Sequence, residues 1–86
     1  MFYVYVLKSK KDGKLYIGST KDLKKRHKEH QKGKSFSTKY RLPVKLVYYE
    51  AFHSEKDARA REVKLKHFGG AIRHLKDRIS NSLLQA

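Results

Sequence analysis

Residues 44 to 52, Val-Lys-Leu-Val-Tyr-Tyr-Glu-Ala-Phe, place apolar side chains at both parities of an extended chain. Val44, Leu46 and Tyr48 fall on one face of such a strand and Val47, Tyr49 and Ala51 on the other. A strand apolar on both faces needs cover on both faces, so helices must flank the sheet that contains it. Phe2 to Leu7 is the only other run of this kind, aromatic and β-branched. Asp12-Gly13 is a turn dipeptide, and Lys14 to Gly18 reads as the returning strand. Residues 2 to 18 are therefore expected to form an antiparallel hairpin.

The remaining segments read as helices and one loop. Ser19 or Thr20 is expected to cap a helix running to about Lys32, with Gly33 as its stop. Leu23 is the only large aliphatic residue in that helix, and its face continues through Arg26, His27 and His30. Either the helix is weakly docked or polar groups line something. Lys34 to Leu42 is a basic, hydroxyl-rich loop ending at Pro43. Ser54 opens the next helix, with Asp57 at the N3 place of a capping box and an inward stripe of Ala58, Glu62 and Leu65. Gly69-Gly70 breaks it, and Ile72, Leu75, Ile79 and Leu83 give the last helix a clean amphipathic spacing. The expected fold class is α+β. It is a small three-stranded antiparallel sheet flanked by helices, in the order β-β-α-β-α-α, within one domain spanning residues 1–86.

Charge narrows the partners. Lys and Arg number 22 against 8 Asp and Glu, a net charge of +14 on 86 residues. Such an excess opposes compaction by self-repulsion, and a polyanion relieves it. Nucleic acid leads. A membrane surface is disfavoured, because no segment pairs a wide apolar face with a basic one. The absence of Cys excludes disulfides and Cys-based zinc sites. No apolar run reaches the length of a membrane span, and the opening residues do not resemble a signal peptide, so a cytoplasmic location is expected.

A few residues ask for chemistry. Glu62 stands on an inward helical face, where a carboxylate is costly unless paired, hydrogen-bonded or bound to a hard cation. A salt bridge to one of the many Lys or Arg residues is the plainer alternative. Tyr5 and Tyr16 share a face in any hairpin register whose paired numbers have an odd sum, although tyrosines are also ordinary strand residues. Arg26 and His30 are i and i+4 on the face of Leu23. His27 and His30 at i and i+3 could form a metal pair, but no second acid lies near them in sequence. Gly18 marks a strand end or a place where phosphate or backbone comes close.

These residues stand in a familiar order: Tyr3-Val4-Tyr5, then Tyr16-Ile17-Gly18, then Arg26 and His30, then a helical Glu62. The pattern resembles the GIY-YIG nuclease domain over about residues 2 to 68. Residues 15 to 30, from Leu15-Tyr16-Ile17-Gly18 to His30, are the most specific part. It is most similar to small stand-alone bacterial members, and also to the nuclease domain of the eukaryotic Slx-type endonuclease subunit. The first motif here is Tyr-Val-Tyr rather than Gly-Ile-Tyr, with the functional Tyr5 kept. Separate DNA-binding domains like those of larger members are not expected in this chain.

The resemblance implies a metal-dependent endonuclease that hydrolyses DNA phosphodiester bonds, including structure-specific enzymes of repair and recombination. It implies Mg²⁺, or Mn²⁺ in its place, on Glu62 as metal ligand. Tyr5, Tyr16, Arg26, His30 and Glu62 would be the catalytic set. The DNA, duplex or branched, would be held by Gly18, Lys8, Lys14, Lys21, Lys24, Lys25, Lys34, Lys39 and Arg41. A monomer is expected, with a protein partner to supply targeting. The alternatives are a catalytically inactive DNA- or RNA-binding module and a small basic ribosome-associated protein.

Overall fold

The computed structural model describes residues 1–86. Strands β1 (Phe2–Ser9) and β2 (Leu15–Thr20) form the expected hairpin, followed by helix α1 (Leu23–Gln31) and strand β3 (Val44–Phe52). Helices α2 (Glu55–His67), α3 (Gly69–Arg78) and α4 (Ser80–Leu84) complete the chain. The sheet is antiparallel, in the order β2-β1-β3. The expected element order holds, with the last helical stretch divided at Ile79.

Helices cover both faces of the sheet. On one side Val4 and Val6 pack with Ala58, Leu65, Leu75 and Ile79, and Ile17, Phe52 and Leu83 close around them. On the other, Tyr5, Leu7 and Val44 form a smaller cluster with Tyr16, Leu23, Leu42 and Leu46. Strand β1 is central and its residues Val4 to Leu7 are buried, which explains its aromatic and β-branched composition.

Strict alternation fails along β3. Val6 pairs with Tyr48 and Leu7 with Leu46, so Val47 is an extra, bulged residue. Val44 and Leu46 therefore share the face of Tyr49 and Ala51, whereas Val47 and Tyr48 pack on the α2 side. The expected grouping of Tyr48 with Val44 and Leu46 is corrected on this ground.

Two further expectations change. Asp22, not Ser19 or Thr20, caps α1, accepting from Lys25 N. Ser19 and Thr20 still belong to β2, and the Thr20 hydroxyl instead accepts from Asp22 N. Ser54 occupies the N-cap place of α2 but makes no side-chain capping bond. Tyr40, Tyr49 and Phe68 lie at the rim, 68%, 53% and 60% exposed.

Candidate active site at the β2 edge

The hairpin register pairs Tyr5 with Gly18 and Leu7 with Tyr16. This is an odd-sum register, so Tyr5 and Tyr16 share the α1 face of the sheet. Gly18 has a specific reason. The Tyr5 ring lies across β2 there, and a Cβ on residue 18 would collide with Tyr5 Oη and Cζ. The glycine makes room for the phenol. The close approach expected at this glycine is made, on that face, by the Tyr5 ring.

The Tyr5 hydroxyl meets His30 of α1, with Oη 2.9 Å from Nε2 and the two rings edge to face. His30 Nδ1 lies 2.7 Å from Thr38 Oγ1. His30 and Thr38 are both buried, so each ring nitrogen has one fixed partner. Both nitrogens are thereby engaged, and a His27–His30 metal pair is not assembled. Burial is the main reason the His30 imidazolium is disfavoured, with the Arg26 and His27 charges adding to it, and its pKa falls to about 4. His30 is neutral at pH 7.

Burial likewise pushes the Tyr5 phenol above its ordinary value. Arg26 and Lys66 act in the opposite sense and favour the phenolate, while Glu62 adds to the rise. The direct bonds of Arg26 go to Glu29 Oε1 and Ser35 Oγ, both at 3.2 Å. Its side chain is 36% exposed. One guanidinium edge therefore holds the loop after α1, and the pairing with Glu29 is open to exchange.

Glu62 approaches from the other side of the sheet. Its Oε1 accepts from Ser19 Oγ at 2.5 Å and its Oε2 pairs with Lys66 Nζ at 2.8 Å. Partial burial alone would raise its carboxyl, but Lys66 and Ser19 outweigh that and keep it below the usual carboxylate range. Ser19 and Gly18 are adjacent in β2 and point to opposite faces, so this edge strand brings the Glu62 carboxylate and the Tyr5 phenol to neighbouring positions.

No three His, Cys, Asp or Glu side chains come together as a metal cluster. A divalent cation at Glu62 would have this single carboxylate from the protein. Mg²⁺ accepts such a donor set, because water and phosphate oxygens complete its shell. The carboxylate is ionised, and Lys66 is a flexible, 43% exposed partner that can yield Oε2. The residues present fit a hydrated ion on those terms.

Tyr16 stands apart. Its hydroxyl donates to Asp12 Oδ2 at 2.8 Å and accepts from Arg41 Nε at 3.1 Å. Arg41 also pairs with Asp12 at 3.2 Å. Desolvation, then the bond to Asp12, raises the Tyr16 phenol. The two motif tyrosines share a face, but their hydroxyls serve different networks.

The basic residues divide in the same way. Lys14 lines a groove of about 810 Å³ along β2 with Tyr16, Ile17, Lys66 and Lys76. Lys24, Lys25 and Lys34 border a shallower hollow beside α1, and Lys21 borders another with Tyr3 and Tyr49. Lys39 lies over the Phe36 and Tyr40 rings. Two of these residues also carry intramolecular bonds. Lys8, which lines the same groove as Lys14, donates to the Leu83 carbonyl at 3.0 Å and ties α4 to the sheet. Arg41, 47% exposed, pairs with Asp12 and donates to Tyr16.

A family profile described as the GIY-YIG catalytic domain matches residues 1–80. The chain belongs to the GIY-YIG family. A UPF0213 protein of Staphylococcus saprophyticus is 45% identical over 67 residues, which cover 77% of this chain and 80% of that protein. A UPF0213 protein of Clostridium perfringens is 48% identical over 67 residues, covering 77% of this chain and 71% of the relative. The solution NMR structure of UPF0213 protein BH0048 from Bacillus halodurans is similar, with a TM-score of 0.55 and 37% identity over 94% of this chain and 84% of that one. For this GIY-YIG domain, Ser35 and Thr38 in the loop after α1 are residues of the candidate site that sequence reasoning missed, and Ser19 of β2 bonds Glu62 where a helix cap was expected of it. Hydroxyl residues in a polar loop carry no periodic signal, and only the abundance of Ser and Thr near residue 37 hinted at them.

Proposed function

We propose that this GIY-YIG domain is a metal-dependent endonuclease that hydrolyses DNA phosphodiester bonds. The observation that carries this reading is the buried chain Tyr5–His30–Thr38 laid over Gly18 beside the ionised Glu62. A merely structural tyrosine needs neither a neutral imidazole on its hydroxyl nor a glycine beneath its ring.

Tyr5 is a neutral phenol at pH 7, so it works as a relay rather than as a standing phenolate. With the His30 proton on Nδ1 and donated to Thr38, Nε2 has a free lone pair facing the phenol. Water attacks phosphorus in line and passes its proton to the Tyr5 oxygen. The Tyr5 proton passes to His30 Nε2, the P–O bond to the leaving group breaks, the leaving oxygen is protonated from solvent, and the imidazolium, disfavoured by burial, gives its proton up to solvent to restore the neutral ring. Arg26 exchanges Glu29 for the scissile phosphate and grips it through its planar donor fork. Glu62 would hold Mg²⁺ or Mn²⁺, which when bound supplies charge neutralisation at the phosphoryl oxygens. Tyr16 is a positioning residue that fixes the hairpin turn and the end of the loop through Asp12 and Arg41. Structure-specific cutting in repair or recombination is the setting proposed for it.

The test is incubation of the wild-type protein with linear, nicked, flapped and branched DNA, with Mg²⁺ or Mn²⁺ and with chelator. Cation-dependent strand scission is expected on at least one substrate. Tight binding with no scission on any of them would give the chain to the binding-module reading instead.

A further inference from the structure

The loop between α1 and β3 carries the least expected surface in the molecule. Phe36 is 85% exposed and Tyr40 68% exposed, although a chain this poor in apolar residues has reason to bury every ring it owns. The loop is not loose. Ser35 and Thr38 are buried and bonded to Arg26 and His30, and Thr38 N and Lys39 N both donate to the Ser35 carbonyl. Inward anchors at 35 and 38 force the residues between and beyond them outward. The Lys39 ammonium sits over both rings, 5.1 Å from the Phe36 centroid and 5.0 Å from that of Tyr40.

We propose that Phe36 and Tyr40 form a stacking platform for unpaired nucleobases of a single strand, with Lys39 and Lys34 holding its phosphates. This deepens the reading above, on which it rests, by naming the part of the substrate that the loop takes. An aromatic face accepts any base, and a lysine between two rings places positive charge where the backbone linking stacked bases must pass. Duplex DNA offers no free base faces, so its binding draws on the lysines and not on the rings. Because Thr38 and Ser35 are shared with His30 and Arg26, a strand seated on the platform lies beside the phosphate-handling residues. The strongly positive surface favours a nucleic acid over an apolar protein partner.

Fluorescence anisotropy with a labelled oligothymidylate and a blunt duplex of the same length tests this. Phe36→Ala with Tyr40→Ala is expected to weaken single-strand binding about tenfold or more. Duplex binding stays within about twofold, which also shows that the variant is folded. Phe36→Tyr with Tyr40→Phe keeps both affinities, since stacking needs only the rings. Equal loss on both probes, no loss on the single strand, or loss in the conservative pair overturns the proposal. So does sedimentation showing a wild-type dimer that the alanine pair abolishes, which would make the rings a contact between copies. Single-strand selectivity without any cleavage would fail the nuclease reading and leave the platform standing. Cleavage without selectivity would fail the platform alone, and a wild type that binds neither probe fails both.

Discussion

Gly18 and Tyr5 behave as one unit. Gly18→Ala puts a methyl group into the Tyr5 phenol and is expected to destabilise the fold by about 1–3 kcal/mol, as overpacking does. Adding Tyr5→Phe removes the hydroxyl, the nearer of the two atoms struck, and frees the ring from His30 so that it can shift, so the double variant should recover at least about 0.5 kcal/mol relative to additivity. Urea unfolding of the four species reads this coupling, and additive costs would show that the contact is relieved some other way. His30 gives a pH signature. Its folded pKa of about 4 lies below the unfolded value near 6.5, so below that value the unfolded chain binds the proton more readily. Stability from this group is complete above about pH 6.5 and falls as pH drops toward 4, by at most about 1.4 kcal/mol per pH unit. His30→Gln should flatten the wild-type dependence of Tm over that window. An unchanged slope in the variant would place the titration elsewhere.

Helix α1 is where sequence and structure diverge most usefully. Its start and stop are roughly legible, because Ser19 or Thr20 and Gly33 bracket a helix-forming run, whereas the cap itself falls at Asp22. Its docking was not legible. Leu23 is a thin apolar anchor, and the helix is held instead by His30 to Tyr5 and Thr38 and by Arg26 to Ser35. Such polar anchors depend on a loop whose path has no period to read. The strands were plainer, since burial on both faces of β1 writes a continuous apolar run, whereas the β3 bulge broke parity and moved Tyr48. Thr38→Val keeps shape but leaves His30 Nδ1 without a partner. It is expected to cost about 1–3 kcal/mol and to loosen α1 before the sheet. Hydrogen exchange should show faster opening across Leu23–Gln31 than across Phe2–Ser9. Uniform acceleration would deny Thr38 this local role.

At the scale of the whole molecule, basic residues border the site on β2 and α1 and also line α2 and α3. Asp12, Glu29, Glu50, Glu55 and Glu62 are all held in ion pairs, which leaves the surplus lysines free to meet an anion. Exposed Lys14 and Lys25 are expected to contact phosphate. Replacing either by Ala should reduce the slope of log K against log salt by about 1 on duplex DNA. Lys8→Ala should instead lower Tm with the slope intact, because Lys8 bonds the Leu83 carbonyl. Equal slopes for all three would remove the distinction between binding and structural lysines. The catalytic claim itself is narrower: Tyr5 relays a proton and Glu62 carries the cation, from opposite faces of one edge strand. It is tested by single-turnover cleavage of the DNA that the wild type cuts best, at saturating enzyme and Mg²⁺. The account predicts that Tyr5→Phe and Glu62→Gln each lower the rate by about 10²-fold or more while still binding DNA. Cutting by either variant at the wild-type rate would contradict it.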